Sequence, residues 1–156
     1  MCVTTVDLFR LGLQIKQVQQ RKQVAVDAVL APLSASFSQW IVLRIIAAHP
    51  GSSGHVLAQL TFQTDQSFGA LVSRLAERGL VERTRGPGRS LLHRLTAEGF
   101  DLLERCDPLV AEALNDQFGI LDDAELGQLQ TILERVLGDV RTGDPAALSA
   151  KRRQFT

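Results

Sequence analysis

The sequence has 156 residues, 45% of them apolar, and its 17 basic and 17 acidic side chains give a formal net charge of zero. That length suits one domain, or one domain with an extension. Balanced charge excludes a uniformly basic protein but leaves room for a local basic patch, and a composition with 5% aromatics and no tyrosine leans towards helix.

In chain order, Thr5 to Leu30 is predicted as one long helix. Val6, Phe9, Leu13, Gln14, Val18, Val24 and Leu30 form an imperfect stripe, interrupted by a polar stretch from Gln17 to Gln23. Pro32 ends it. Ser36 or Ser38 can cap a second helix that carries Trp40, Ile41, Leu43, Arg44 and Ile46 up to His49. His49 to Gly54 ("HPGSSG") reads as a turn, after which Ser52 or Ser53 can cap a short helix containing Val56, Leu57 and Leu60. Thr64 is the expected N-cap of the next helix, with Asp65 favourable in its first turn. Phe68, Leu71, Val72 and Leu75 form its inner face, and Gly79 stops it.

Leu80 to Arg85 and Ser90 to Thr96 read as two short strands joined by the turn "GPGR" (Gly86 to Arg89). Leu91, His93 and Leu95 share one face of the second strand, and His93 is expected to be a half-buried structural residue. Beyond Gly99, Phe100, Leu103, Leu109, Val110, Leu114 and Phe118 predict a long amphipathic helix with a bend at Pro108. A last helix follows from Leu121 to Val140, capped by Asp122. The fold class is mainly α with a small β-hairpin wing: a winged helix-turn-helix lobe plus a helical dimerisation region (α+β). The expected divisions are a dimerisation helix over 1–35, the lobe over 36–99, dimerisation helices over 100–141 and a mobile tail over 142–156.

Charge is segregated along this plan. Arg74, Arg78, Arg83, Arg85, Arg89 and Arg94 are opposed only by Glu77 and Glu82 within their stretch, whereas acidic residues dominate from Asp101 to Glu125. A helix pair followed at once by a basic hairpin suits duplex DNA. Its second helix fits the major groove, and the hairpin arginines reach phosphates or the adjacent minor groove. The expected DNA-contact set is Thr64, Asp65, Gln66, Ser67, Gly69, Ala70, Ser73, Arg74, Arg83, Arg85, Arg89 and Ser90. Within it, Gln66, Ser67, Ser73 and Arg74 are placed to read bases, and Arg89 to grip phosphate.

Four stretches carry a family resemblance: "SFSQWIVLRIIAAHPG" (Ser36 to Gly51), "LAQL" (Leu57 to Leu60), "LVSRLAERGLVER" (Leu71 to Arg83) and "HRLTAEG" (His93 to Gly99). Together they resemble the MarR family of bacterial transcriptional regulators over most of the chain. The resemblance implies a homodimer, with the first and last two helices of each subunit intertwined, that binds a palindromic double-stranded operator as a repressor. It also implies a ligand cleft between the dimerisation helices and the lobe. Phe9, Leu13, Phe37, Trp40, Arg44, Phe68, Phe100 and Leu103 are candidate lining residues. An apolar cleft with one cation suits a small aromatic carboxylate or a lipophilic molecule.

Other chemistries find little support in the residues. Cys2 and Cys106 make no metal or disulfide pattern, and His49, His55 and His93 are scattered, so no cofactor or metal is expected. "GPGR" lacks the strand-to-helix setting and the lysine of a phosphate-binding loop, so no enzyme is expected. No apolar run has the length of a membrane span and no secretion signal is read; a cytoplasmic protein without membrane contact is the expectation. Two alternatives stay open: a winged helix that binds protein instead of DNA, and a regulator that senses oxidants through cysteine.

Overall fold

A computed structural model describes residues 6–138. The chain divides into two compact units, Met1–Gln117 and Phe118–Thr156. The first holds α1 (Leu8–Leu30), a 3-10 turn (Ala31–Leu33), α2 (Phe37–Ala48), β1 (Ser52–Ser53), α3 (Gly54–Leu60), α4 (Asp65–Glu77), β2 (Val81–Arg85), β3 (Leu91–Leu95) and nearly all of α5 (Ala97–Phe118). The second holds α6 (Asp123–Leu137). The expected start of α1 at Thr5, the end of α6 at Val140, Cys2 and the tail over 142–156 lie outside the described residues.

Local chemistry fixes the helix starts. Asp7 accepts hydrogen bonds from the backbone N–H groups of Phe9 and Arg10, Ser36 from Gln39, Ser53 from Val56, and Thr64 from Ser67. Each satisfies a donor that the first helical turn leaves without a partner. Asp122 and Glu125 form a reciprocal capping box at α6. At the far end of α4, Gly79 takes φ +73°, a conformation that glycine adopts without a Cβ penalty.

The core of the first unit gathers one face from each element: Val26 and Leu30, Val42, Leu43 and Ile46, Leu57, Phe68, Val72 and Leu75, and Leu102, Cys106 and Val110. The sheet has the order β1-β3-β2 and is antiparallel throughout. Its third strand is absent from the sequence reading, which had a plain turn there. Ser52 and Ser53 pair with His93 and Leu92. Two small polar residues carry no strand periodicity, so only the partner strand creates this one.

Three side-chain placements differ from expectation. His93 is 5% exposed and thus fully enclosed, not half-buried, because it lies on the central strand with the Phe68 ring edge-on at 6.0 Å. Leu91, expected on the same inner face, is exposed. Phe100, expected inside α5, is 47% exposed. Gly99 explains this: the first turn of α5 presses so closely on the Leu80 carbonyl that a Cβ at Gly99 would collide with it. With Gly99 turned inward, the next residue projects about 100° away.

The apolar stripe of α1 is buried only at Val26 and Leu30, while Leu8, Phe9, Leu11, Leu13, Ile15, Val18 and Val24 stay exposed. On α6, Ile132, Leu133, Val136 and Leu137 are likewise exposed. No single helix among the described residues is long and apolar enough to cross a membrane.

Candidate nucleic-acid interface

The outer face of α4 is built by elimination. Phe68, Val72 and Leu75 turn inward, which leaves Asp65, Gln66, Gly69, Ala70 and Arg74 exposed and Ser73 half-buried. Nothing lies within 4 Å of a Cβ placed at Gly69, so the middle of this face is open and flat. Ser67 and Thr64 are tied to each other: the Thr64 hydroxyl donates to Ser67 Oγ at 3.0 Å and accepts from the Ser67 N–H at 3.1 Å. Thr64 therefore serves the helix start first. Arg74 Nε donates to the Ala70 carbonyl at 3.4 Å, which lays its stem back along the helix.

Asp65 has a partner that sequence reasoning missed. His55 Nδ1 lies 3.0 and 3.1 Å from the two Asp65 oxygens, and Gln59 Nε2 is 3.2 Å from His55 Nε2. A neutral ring that donates from Nδ1 and accepts at Nε2 satisfies both bonds. His55 and Gln59 are an i, i+4 pair on α3, which is the one signal that could have been read beforehand.

The hairpin sorts its arginines by strand period. Arg83 pairs with His93 and Arg85 with Leu91, so both lie on the sheet face that packs on α4. Arg83 Nη1 donates to Ser73 Oγ at 3.2 Å and ties the wing to α4. Arg94 lies on the opposite face across from Glu82, with its guanidinium over Gly51. At the tip, the Gly86 N–H donates to the Ser90 carbonyl at 2.9 Å and the Ser90 hydroxyl to the Pro87 carbonyl at 2.8 Å. A Cβ at Gly86 would stand 2.7 Å from Ser90 Oγ, so glycine keeps the turn tight. Arg85, Gly88, Arg89, Ser90 and Leu91 line a concavity of about 300 Å³ there.

Among the expected ligand-lining residues, three come together. The Phe37 and Trp40 rings stack at 5.6 Å, and the Arg44 guanidinium lies 5.3 Å from the Trp40 ring centre. Asp107 of α5, unnoticed in the sequence, completes the group. Leu103 is buried on α5, four residues earlier. The others sit apart: Phe68 in the core of the lobe, Phe100 at the exposed start of α5, and Phe9 and Leu13 on the exposed half of α1. Among the described residues, no group of three or more His, Cys, Asp or Glu side chains could hold a metal ion. Burial first, and the nearby Asp107 charge second, push the Cys106 thiol above its usual value.

Helix, turn, exposed helix and a basic hairpin on the edge of a small sheet define a winged helix-turn-helix protein. A model of the MarR family matches residues 33–90. The HTH-type transcriptional repressor Rv2887 of Mycobacterium tuberculosis is 28% identical over 131 residues, which are 83% of this chain and 94% of the relative. A crystal structure of that protein with salicylic acid superposes with a TM-score of 0.65 at 28% identity, covering 81% of this chain and 95% of the other. A cysteine-to-serine variant of MarR from Escherichia coli, complexed with operator DNA, superposes with a TM-score of 0.78 at 27% identity, covering 85% and 100%. Over the helix-turn-helix and the start of the wing, the chain is thus similar to the MarR family.

Proposed function

We propose that this protein is a sequence-specific, double-stranded-DNA-binding transcriptional regulator that acts as a homodimeric repressor and is released by a small aromatic ligand. The observation that carries the reading is the shared exposure of α4 and the wing. Gln66 and Arg74 are exposed on a helix narrow enough for the major groove, and Arg85 and Arg89 are exposed on the hairpin that follows. The relatives' operator and salicylate complexes support the same reading.

The exposure and bonding of the side chains support the following assignments. Gln66 and Arg74 read base edges, with Ser73 held at the margin by Arg83. Arg85 and Arg89 contact phosphate or the narrow groove beside it. Thr64 and Ser67 fix the start of α4, Gly69 and Ala70 allow close approach, and Ser90 shapes the tip. Dimerisation is assigned to 1–35 and 100–141, supported by the exposed apolar side chains of α1 and, separately, of α6. The reading needs no catalytic step and implies action where the chromosome lies. The enclosed thiol of Cys106 suits packing better than oxidant sensing.

Selection of bound sequences from random duplexes tests this reading. A palindromic pair of half-sites about one helical turn apart is the expected result, and affinity should fall steeply with salt. A protein that enriches no sequence and shows no salt dependence would instead be a winged helix used for protein contact.

A further inference from the structure

Gln59 and His55 on α3 and Asp65 at the start of α4 form a chain of hydrogen bonds. His55 Nδ1 lies 3.0 and 3.1 Å from the two Asp65 oxygens, and Gln59 Nε2 lies 3.2 Å from His55 Nε2. A carboxylate only accepts, so Nδ1 carries the ring proton, and the Gln59 amide donates to the other ring nitrogen. Gln59 stands one turn along α3 from His55, so the ring is held from its own helix and aimed at α4.

The folded lobe does not need this chain as a cap or as a tie. Thr64 already accepts from the Ser67 N–H at the start of α4. Leu57, Ala58, Phe68 and Val72 already join the two helices in one core. The His55 and Asp65 side chains are 64% and 67% exposed, and a pair so open to water adds little to folding. What the chain of bonds does is fix a direction. A carboxylate in the first turn of a helix is drawn back towards that helix's free N–H groups and positive end. Among the described residues, both Asp65 oxygens bond to His55 and neither to α4. Each oxygen keeps a lone pair for a further donor.

Phosphates repel this carboxylate, so backbone contact with DNA does not explain its place on the exposed end of α4. The major-groove edges of the bases do offer it a partner. Guanine presents two acceptors and adenine sets an acceptor beside its amino group, whereas cytosine presents the N4 amino donor alone. We propose that Asp65 is a specificity-determining residue that accepts from the N4 amino group of a cytosine, and that His55 is the positioning residue that holds the carboxylate for this contact. The proposal rests on the reading of the protein as a duplex-binding regulator and adds to it the base pair that the start of α4 selects.

Selection from random duplexes is run at one salt concentration with the full-length wild type and with each variant, and the enriched duplexes are then compared by competition. Each half-site should contain a C·G pair at which Asp65→Asn switches the preference to A·T, because an amide pairs with both N6 and N7 of adenine. His55→Ala should lower the discrimination for that cytosine about tenfold, while the position that Gln66→Ala changes keeps its preference. His55→Asn, whose amide N–H stands in for the Nδ1 donor, should restore most of the discrimination. Thermal melts confirm that each variant is folded. Unchanged base preferences in Asp65→Asn overturn the cytosine contact. A His55→Ala variant that weakens every duplex equally makes the pair a structural tie and overturns the positioning role. A wild type that enriches no sequence defeats the underlying reading and this proposal with it, whereas an enriched operator without such a C·G pair defeats this proposal alone.

Discussion

His93 occupies the centre of the three-stranded sheet, where Nδ1 donates to the Ser52 carbonyl at 3.3 Å. Burial holds its pKa below the ordinary histidine value; the Ser52 bond opposes this and the Arg83 charge adds to it. The folded state therefore binds a proton less readily than the unfolded chain. Stability is full above the unfolded value near pH 6.5 and falls as pH drops from there towards the folded pKa. The melting temperature should decline between pH 7 and pH 5, and His93→Leu should decline less over that interval. Parallel declines in calorimetry would remove His93 from the cause. Gly99 makes a second residue-scale prediction. Gly99→Ala forces a methyl group into the Leu80 carbonyl, so a loss of about 1–3 kcal/mol is expected in denaturant unfolding. Neither fact was legible beforehand. A histidine on an apolar strand face reads as half-buried from its alternation alone, and a glycine at a helix start gives no sign of which backbone presses on it.

At the scale of elements, capping and periodicity carried most of the fold. The starts of α2, α3, α4 and α6 sit on the serine, threonine and aspartate positions that their side-chain chemistry favours, and the hairpin lies where Gly86 to Arg89 demanded a turn. What stayed hidden depends on partners distant in sequence: β1 exists because β3 is beside it, and the rotation of α5 follows from Leu80. The same distinction governs the candidate site. Exposure of the α4 face was legible from its spacing, while the His55–Asp65 and Arg44–Asp107 pairs span 10 and 63 residues and needed the folded chain. The two DNA-facing elements should separate by mutation. Arg89→Ala should weaken all duplexes alike and reduce the salt slope by about one phosphate contact. Gln66→Ala should change the preference at one base position by about 1–3 kcal/mol. Competition shift assays over a panel of operator variants distinguish these outcomes, and a sequence-selective loss in Arg89→Ala would reverse the roles given to wing and helix.

For the whole molecule, the unresolved physical demand is the apolar surface left uncovered on α1. Phe9 is 89% exposed and Leu13 63%, with Leu8, Leu11, Ile15 and Val18 along the same half of the helix. Burying one such side chain is worth about 1.5–3 kcal/mol, so leaving a row of them in water is costly when a second copy can cover them. A stable dimer needs about 800 Å² from each partner, and half of a 23-residue helix is a large share of that. Self-association through α1 also fits the proposed operator geometry, since two lobes held at a fixed spacing match two half-sites. Phe9→Glu combined with Leu13→Glu should therefore shift light scattering from twice the chain mass towards the single chain at micromolar concentration. Neither residue lies in α4 or the wing, so any loss of operator binding in this variant would come from lost pairing. Binding to an isolated half-site at low salt should survive, because one lobe still carries its own cations. A variant that stays dimeric would move the interface off α1, and one that loses half-site binding as well would show that the lobe does not hold together without its partner.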